Sequence, residues 1–156
     1  MSGITNGELE KLCKKFLDNK FLGVFPSDVI PKSRKLLWSI IFNLSAHDEE
    51  GSHFIAIIKR AKKIFYFDSF GKYCTNTNLL KFIKSFGLNI EYNTTKIQDD
   101  NSSLCGYYCF YFLHEYSVKN VSYEKFISKF VHKPNELLKN DTKLMKLILE
   151  NIKKKN

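Results

Sequence analysis

The sequence contains little arginine, tryptophan or proline. Of its 156 residues two are arginine, Arg34 and Arg60, one is tryptophan and three are proline. Lysine supplies the rest of the 25 basic residues, and it is a point charge that contacts phosphates well but reads base edges poorly. The composition therefore argues against base-specific DNA recognition, while a formal net charge of +9 leaves room for an anionic partner.

Long hydrophobic runs are also missing. No stretch approaches the roughly 18 apolar residues of a membrane span, and the first helical pattern carries several charges (Glu8, Glu10, Lys11, Lys14). We therefore expect no signal peptide, no membrane contact and no secretion. With 44% apolar and 26% charged residues, residues 1–156 are predicted to form a single folded domain, and a monomer is expected.

No Cys-x-x-Cys pair occurs among the four cysteines, Cys13, Cys74, Cys105 and Cys109. Without a secretory context we expect reduced thiols rather than a disulfide framework. Cys105, Cys109 and His114 could share a helix face as zinc ligands. A second half-site is absent from the sequence, so no metal is predicted.

Positive charge is concentrated in the last quarter of the chain. Residues 119–156 contain ten lysines against four acidic residues. One interpretation is a solvated helix face with a frayed tail, and the other is a sequence-independent surface for nucleic acid. The candidate nucleic-acid contacts are Lys143, Lys146, Lys153, Lys154 and Lys155.

The order of periodic segments predicts an α+β fold, with a small mixed sheet, a central buried helix and flanking helices. A first helix is expected after Asn6 as its cap, and a loop between Pro26 and Pro31. The run 36–42 is ambiguous between strand and helix. Residues 48–51 are read as a turn, and residues 53–58 and 64–68 as a hairpin.

The second half of the chain is predicted to be mainly helical. Asn76 can cap a helix that Gly87 closes, and a strand near residues 89–92 follows. Residues 104–118 form a long apolar segment, predicted to be the central buried helix. Amphipathic segments near residues 123–131 and 142–152 make up a lysine-rich helical part, 119–156.

Four residues stand out as candidates for chemistry: His53, Asp68, Gln98 and Cys105. If the hairpin turns around Arg60 and Ala61, His53 and Asp68 face each other directly across the ladder, within reach of a His–Asp hydrogen bond. Such an aspartate would fix the imidazole tautomer and stabilise the imidazolium. The register is uncertain from sequence because the turn lacks an Asn-Gly signal.

Cys105 lies where a polar loop becomes the predicted central helix. A helix N-terminus and a neighbouring imidazolium both favour the thiolate form of a cysteine. Gly106 is expected to leave the backbone open where an oxyanion would form, with the Cys105 and Gly106 N–H groups as donors. Gln98, seven residues before Cys105, could add its side-chain amide to that oxyanion hole.

Plain structural readings of the same residues stay open. His53 could be a surface histidine, Asp68 could end a strand, and Cys105 could be a core thiol, since free cysteine is commonly buried. Cys109 is assigned to the core. His114 is too far along the helix to act as a base for Cys105, and His47 and His132 have no evident partner.

The segment from Gln98 to Gly106, followed by Cys109 and Phe112-Leu113-His114, resembles the nucleophile segment of the adenovirus maturation proteases. Residues 51–54 (Gly-Ser-His-Phe), 67–71 (Phe-Asp-Ser-Phe-Gly) and 21–24 (Phe-Leu-Gly-Val) resemble that family's histidine, acidic and N-terminal loop segments, in the same order. The resemblance covers about three quarters of the chain. Similar proteases occur in virophages and virus-like transposons.

This resemblance implies a cysteine endopeptidase that shares its core fold with proteases removing ubiquitin-like modifiers. By position, Cys105 would be the nucleophile, His53 the general base, Asp68 its orienting acid and Gln98 the oxyanion donor. The implied substrates are viral capsid and core precursors cut near glycine-containing sites, in the virion or at the intracellular site of assembly. No cofactor is implied, although stimulation by DNA or by an activating peptide is open.

The chain departs from the family at three places. Asp68 stands where the adenovirus enzyme has glutamate, Phe54 replaces a tryptophan, and no cysteine lies near Gly87 to hold a disulfide-linked activating peptide. Two other functions therefore remain as alternatives. One is removal of a ubiquitin-like modifier, and the other is a non-enzymatic basic protein that packages nucleic acid.

Overall fold

Five strands form one mixed sheet in the computed structural model, which describes residues 2–45 and 53–155. The strands are β1 (Phe21–Pro26), β2 (Trp38–Asn43), β3 (Phe54–Lys59), β4 (Lys63–Phe67) and β5 (Asn89–Tyr92), and they lie in that order across the sheet. β1 pairs with β2 and β4 with β5 in parallel, while β2–β3 and β3–β4 are antiparallel. The predicted turn at residues 48–51 lies outside the described residues.

Helices cover both faces of the sheet. They are α1 (Asn6–Phe16), α2 (Thr77–Lys84), α3 (Cys105–Leu113), α4 (Tyr123–Ile127) and α5 (Leu138–Lys155), with a π-helical turn at His114–Val118 and a 3₁₀ turn at Pro134–Glu136. One apolar core joins α3, α1, α4 and α5 to the sheet, and a second joins α2 to the other face. Every residue of β2 and β3 is consequently buried, as expected for strands covered on both sides. The predicted α+β fold is therefore confirmed.

Several local predictions agree with the structure. Asn76 caps α2 by accepting a hydrogen bond from the Leu79 N–H, and Gly87 adopts a φ of +64° after the helix. The strand at residues 89–92 is present. The ambiguous run 36–42 contains strand β2, and the apolar segment 104–118 contains α3 together with the π-helical turn.

Other local predictions are wrong. Thr5, rather than Asn6, caps α1, because Thr5 and Glu8 form a reciprocal capping box. α4 ends at Ile127 instead of near residue 131, and α5 begins at Leu138, earlier than predicted.

The hairpin register also differs from the prediction by two residues. Ala56 pairs with Phe67 and Ile57 with Tyr66, because the turn is closed by the Arg60 N–H donating to the Lys63 carbonyl. In this register Phe70, not Asp68, is the direct counterpart of His53. Since side chains alternate with a period of two, a two-residue shift keeps Asp68 on the same face as His53, as a diagonal neighbour.

Candidate active site

His53 and Asp68 are joined by a short hydrogen bond despite the changed register. The His53 Nε2 lies 2.8 Å from the Asp68 Oδ1. Asp68 is almost wholly buried, whereas 22% of the His53 side chain is exposed. The imidazole also stacks on the ring of Phe70 at 4.7 Å between centroids. One ring nitrogen is thereby committed to the carboxylate, and Nδ1 is left for another partner.

The carboxylate that orients His53 is held by the loop around it. The Phe70 N–H donates to the Asp68 Oδ1 at 2.8 Å. The Asn93 side-chain amide donates to the Asp68 carbonyl, and the Tyr123 hydroxyl donates in turn to the Asn93 side-chain oxygen. Asn93 and Tyr123 were not identified from the sequence, because neither lies near Asp68 in the chain.

Cys105 is the first residue of α3 and is largely buried, at 6% exposure. Its side chain forms a hydrogen bond with His53. Burial lowers the pKa of His53, but the hydrogen bonds and negative charges of Asp68 and Cys105 outweigh it and raise that pKa to about 9. At neutral pH the imidazole is therefore protonated.

The other three cysteines lie in different surroundings. Cys13 and Cys109 are fully buried, and burial strongly raises the pKa of both thiols. Burial also raises the pKa of Cys74, which lies near Tyr66. The assignment of Cys109 to the core is confirmed. Among residues 2–45 and 53–155, no three His, Cys, Asp or Glu side chains are grouped to hold a metal ion.

Gln98 is completely buried and has a fixed orientation. The Ser69 hydroxyl donates to its Oε1 at 2.5 Å, and its Nε2 donates to the Ser102 carbonyl at 3.0 Å and lies 3.3 Å from the Ser102 Oγ. Because Ser69 is a donor to Oε1, the amide nitrogen is the end that faces the loop before Cys105.

Helix α5 supports this loop through two polar residues that sequence reasoning missed. Asp141 accepts hydrogen bonds from the Ser102 hydroxyl at 3.0 Å and from the Tyr108 hydroxyl at 2.9 Å. Asn140 donates to the Ile97 carbonyl at 2.8 Å. The residue before Gln98 and the residue that holds its amide are thus both attached to the C-terminal helix. No sequence signal marked these two residues, because both precede the amphipathic segment predicted at 142–152.

Gly106 packs against apolar side chains on the side where a β-carbon would lie. A β-carbon at this position would lie 2.6 Å from the Ile4 Cγ2 and 3.2 Å from both Leu9 and Phe54. The space beside Gly106 is therefore filled by apolar side chains rather than left open. The absence of a side chain allows α3 to pack closely against the N-terminal segment and β3.

The remaining candidates lie away from Cys105. The lysines at positions 143, 146, 153, 154 and 155 are exposed on α5. The tail is not frayed, because residues 153–155 are helical and Lys155 donates to the Phe16 carbonyl at the end of α1. The His132 ring lies 3.0 Å from the Ile127 carbonyl. His47 lies outside the described residues. None of the helices described is long and apolar enough to cross a membrane.

The chain is 30% identical over 135 residues to the protease of Ovine adenovirus D serotype 7 (isolate OAV287), covering 73% of this chain and 65% of that protein. No protein-family model matches. The chain thus spans just under two thirds of the length of this viral relative.

Solved structures with the same fold include two proteins at low sequence identity. The crystal structure of an ASFV protease aligns with 87% of this chain and 65% of its own, at a TM-score of 0.57 and 16% identity. ChlaDub1 from Chlamydia trachomatis aligns with 76% of this chain and 60% of its own, at a TM-score of 0.51 and 17% identity. At these identities the likeness concerns the fold.

Proposed function

We propose that this chain, which is 30% identical to an adenovirus protease over 135 residues, is a cysteine endopeptidase. The observation that carries the proposal is the continuous contact from Asp68 through His53 to Cys105. A 2.8 Å hydrogen bond joins the imidazole to Asp68, and a second side-chain hydrogen bond joins it to Cys105 at the start of a buried helix. This arrangement supplies a nucleophile, a proton carrier and an orienting carboxylate.

In the proposed reaction the Cys105 thiolate attacks the scissile carbonyl carbon and forms a tetrahedral oxyanion. As that intermediate collapses, the protonated His53 gives its proton to the leaving amine, the carbon–nitrogen bond breaks and a thioester remains. The neutral His53 then takes a proton from water, whose oxygen attacks the thioester and releases Cys105. Asp68 keeps the imidazole oriented and stabilises its charged form throughout.

Gln98 is proposed as a donor to the oxyanion, together with the backbone N–H groups at the start of α3. Its nitrogen faces the loop that leads into Cys105, and the network through Ser69, Ser102 and Asp141 holds it there. Donors fixed before the reaction stabilise developing charge without reorganisation. On this view α5 positions the oxyanion donor.

The proposed substrates are precursor proteins of a virus particle, cut near glycine-containing sites during assembly. Kinship with the ovine adenovirus protease supports this choice. The main alternative substrate is a ubiquitin-like modifier, because Asp68 stands where the adenovirus enzymes carry glutamate. The two are separated by comparing turnover of glycine-containing precursor peptides with that of modifier–fluorophore conjugates.

The activated thiol can be tested without knowing the substrate. We expect iodoacetamide to label Cys105 at pH 6 at least about tenfold faster than Cys74, since burial keeps the Cys74 thiol protonated. Intact-protein and peptide mass spectrometry would follow each cysteine separately. The advantage should disappear in His53→Ala, while Cys74→Ala, which leaves the triad untouched, should label Cys105 as the wild type does.

Two results would overturn this proposal. The first is labelling of Cys105 in the folded protein no faster than that of Cys74 at any pH between 5 and 9. The second is an unchanged Cys105 rate in His53→Ala. Circular dichroism on each variant would establish that the fold is retained.

A further inference from the structure

The ring of Phe70 connects His53 to a basic part of the protein surface. The imidazole of His53 stacks on this ring at 4.7 Å between centroids, with 29° between the two planes. The ammonium groups of Lys72 and Lys96 each lie 5.7 Å from the centre of the same ring. Phe70 is half-buried and Lys72 is exposed. We call Phe70, Lys72 and Lys96 the Phe70 platform.

Two loops that meet at Gly71 build the Phe70 platform. The Gly71 N–H donates to the Asp68 carbonyl at 2.8 Å, and Gly71 adopts a φ of +72°, a conformation that costs glycine little. A β-carbon at Gly71 would lie 2.8 Å from the Lys96 backbone nitrogen, so glycine lets the two loops touch. The Ser69 carbonyl also accepts a hydrogen bond from the Gln98 N–H at 3.1 Å. The platform is therefore fixed by the same loops that carry Asp68 and Gln98.

The Phe70 platform carries one positive charge more than its neighbours neutralise. Lys96 is paired with Asp100 at 2.7 Å. The hydrogen bond and charge of Lys96, and then the charge of Lys72, lower the pKa of Asp100, which places both cations near one carboxylate. Lys72 itself forms no ion pair within residues 2–45 and 53–155. Its charge is thus available to an anionic group of a ligand.

The proposed reaction brings the leaving group of the substrate to this side of the site. His53 must lie within hydrogen-bond reach of the amine that it protonates, whereas the acyl carbon is bonded to the Cys105 sulfur. The residues after the scissile bond therefore start at the imidazole, on which Phe70 stacks. The centroid distances put each ammonium of the platform no more than roughly 10 Å from the imidazole centre, the length of about three extended residues.

We propose that the Phe70 platform binds an acidic side chain of the substrate within the first three residues after the scissile bond. The inference rests on the proposed endopeptidase function and adds a specificity determinant to it. One uncompensated charge suits a single carboxylate better than a run of phosphates. Tyr73, 62% exposed and packed edge-on against Tyr92, lies next to Lys72 in the chain and offers apolar surface to the same segment of substrate.

The test does not require a known cleavage motif. The protein is incubated with a chymotryptic digest of a bacterial proteome, and mass spectrometry of the new termini identifies the residues on both sides of each cleaved bond. We expect aspartate and glutamate to be enriched at least about twofold within the three positions after the bond, as for an exposed ion pair. The three positions before the bond should show no such enrichment.

Two synthetic peptides then measure the contact directly. The best-cleaved sequence is made with glutamate and with glutamine at the enriched position, and kcat/KM is determined for each. The wild type should prefer the glutamate peptide by about threefold or more. Lys72→Gln should bring this ratio close to one, because the remaining Lys96 is paired with Asp100. Lys72→Glu should reverse the preference in favour of a third peptide with lysine at that position.

The matched control is Lys62→Gln. Lys62 is an exposed lysine between β3 and β4, at the other end of β4 from Asp68, and its replacement lowers the net charge by the same amount as Lys72→Gln. Its preference for the glutamate peptide should equal that of the wild type. Labelling of Cys105 by iodoacetamide should stay close to the wild-type rate in both variants, since neither substitution touches His53 or Asp68.

Two results would overturn this inference alone. One is cleavage of the digest without enrichment of acidic residues after the bond. The other is an equal preference for the glutamate peptide in the wild type and in Lys72→Gln. Absence of any cleavage would instead overturn the endopeptidase function, and this inference with it, so the two failures can be told apart.

Discussion

Ionisable side chains lie near both ends of the α3 segment. The two groups differ in the partners of their central residue, His53 at one end and Glu115 at the other. At the N-terminus of α3, His53 forms side-chain hydrogen bonds with Asp68 and with Cys105. Beyond its C-terminus, in the π-helical turn, Glu115 is 1% exposed and accepts hydrogen bonds from Lys119 at 3.2 Å, from Lys129 at 3.0 Å and from Asn151 at 3.3 Å. We call the second group the Glu115 cluster.

Both groups have shifted pKa values, yet only one is suited to chemistry. Burial raises the pKa of Glu115, but the His114 ring, 3.8 Å away, and hydrogen bonds from Lys129 and Lys119 outweigh it and lower that pKa to about 2. All the groups around Glu115 stabilise one ionisation state and join the turn to the segment after α4 and to α5. His53 instead lies between an acid and a nucleophile. A perturbed pKa marks a functional site only where the proton has somewhere to go.

Among the substitutions that distinguish the His53 site from the Glu115 cluster, Asp68→Asn should have the largest effect on activity. Loss of the orienting carboxylate should reduce kcat/KM for a cleaved peptide by about 10²–10⁴-fold. The pH profile should change as well. The raised pKa of His53 means that the imidazolium is present below pH 9 and is lost as pH rises through about 9. The alkaline limb of the wild-type pH–activity profile should therefore lie near pH 9.

In Asp68→Asn a principal cause of that raised pKa is gone, so activity should decline at a lower pH. Initial rates from pH 5 to 10 would measure both the reduction and the displacement. Glu115→Gln is the matched control, since it also removes one buried carboxylate, and its alkaline limb should stay near pH 9. An Asp68→Asn enzyme with the wild-type limb would show that Asp68 does not control the proton of His53.

Gln98 does not fit this division between a structural and a chemical role. Its side chain is as completely hydrogen-bonded as that of Glu115, and yet we propose that it donates to the oxyanion. Gln98→Ala should reduce kcat by about 10²–10³-fold with little change in KM, as for the loss of one oxyanion donor. Ser69→Ala removes the hydroxyl that holds the Gln98 Oε1 and serves as the comparison for loss of positioning alone.

The Ser69→Ala reduction should be smaller than that of Gln98→Ala, because the amide stays and only its orientation loosens. Steady-state kinetics on both variants, with thermal melts, would test this order. A Gln98→Ala enzyme that loses stability but keeps its kcat would show that Gln98, like Glu115, stabilises the fold and does not act on the oxyanion.

The candidate site and the fold could be predicted from sequence to different extents. Short-range patterns worked: the Asn76 cap, the Gly87 stop and the buried run of α3 depend on neighbours in the chain. The hairpin register failed by two residues, because the turn has no residue that demands one turn type. The His53–Asp68 contact was still correct, since a shift of two preserves the face.

Long-range polar contacts were beyond prediction. Asp141 meets Ser102 across 39 positions, and Asn140 meets Ile97 across 43. Nothing in the local pattern of α5 distinguishes these two residues from solvent-facing ones. Such contacts are set by tertiary packing, which a single sequence does not display.

Glu115→Gln should have the smallest effect on catalysis and a clear effect on stability. Activity per folded molecule should stay within about twofold of wild type, since the cluster lies beyond the far end of α3 from Cys105. The free energy of unfolding at pH 7 should fall by about 1–3 kcal/mol, because Lys129 and Lys119 lose their shared carboxylate and a buried amide replaces it. The lysines remain partly exposed, which moderates the cost.

The stability difference between wild type and Glu115→Gln should depend on pH. Glu115 has a folded pKa of about 2 against an ordinary 4.5, so its stabilising contribution is present above pH 4.5 and is lost as pH falls toward 2. The stability gap between wild type and Glu115→Gln, measured by urea unfolding from pH 7 to 2.5, should therefore narrow below pH 4.5. A gap that stays constant to pH 2.5 would mean that packing rather than charge holds the turn, and the contrast between the two ends of the segment would then rest on His53 alone.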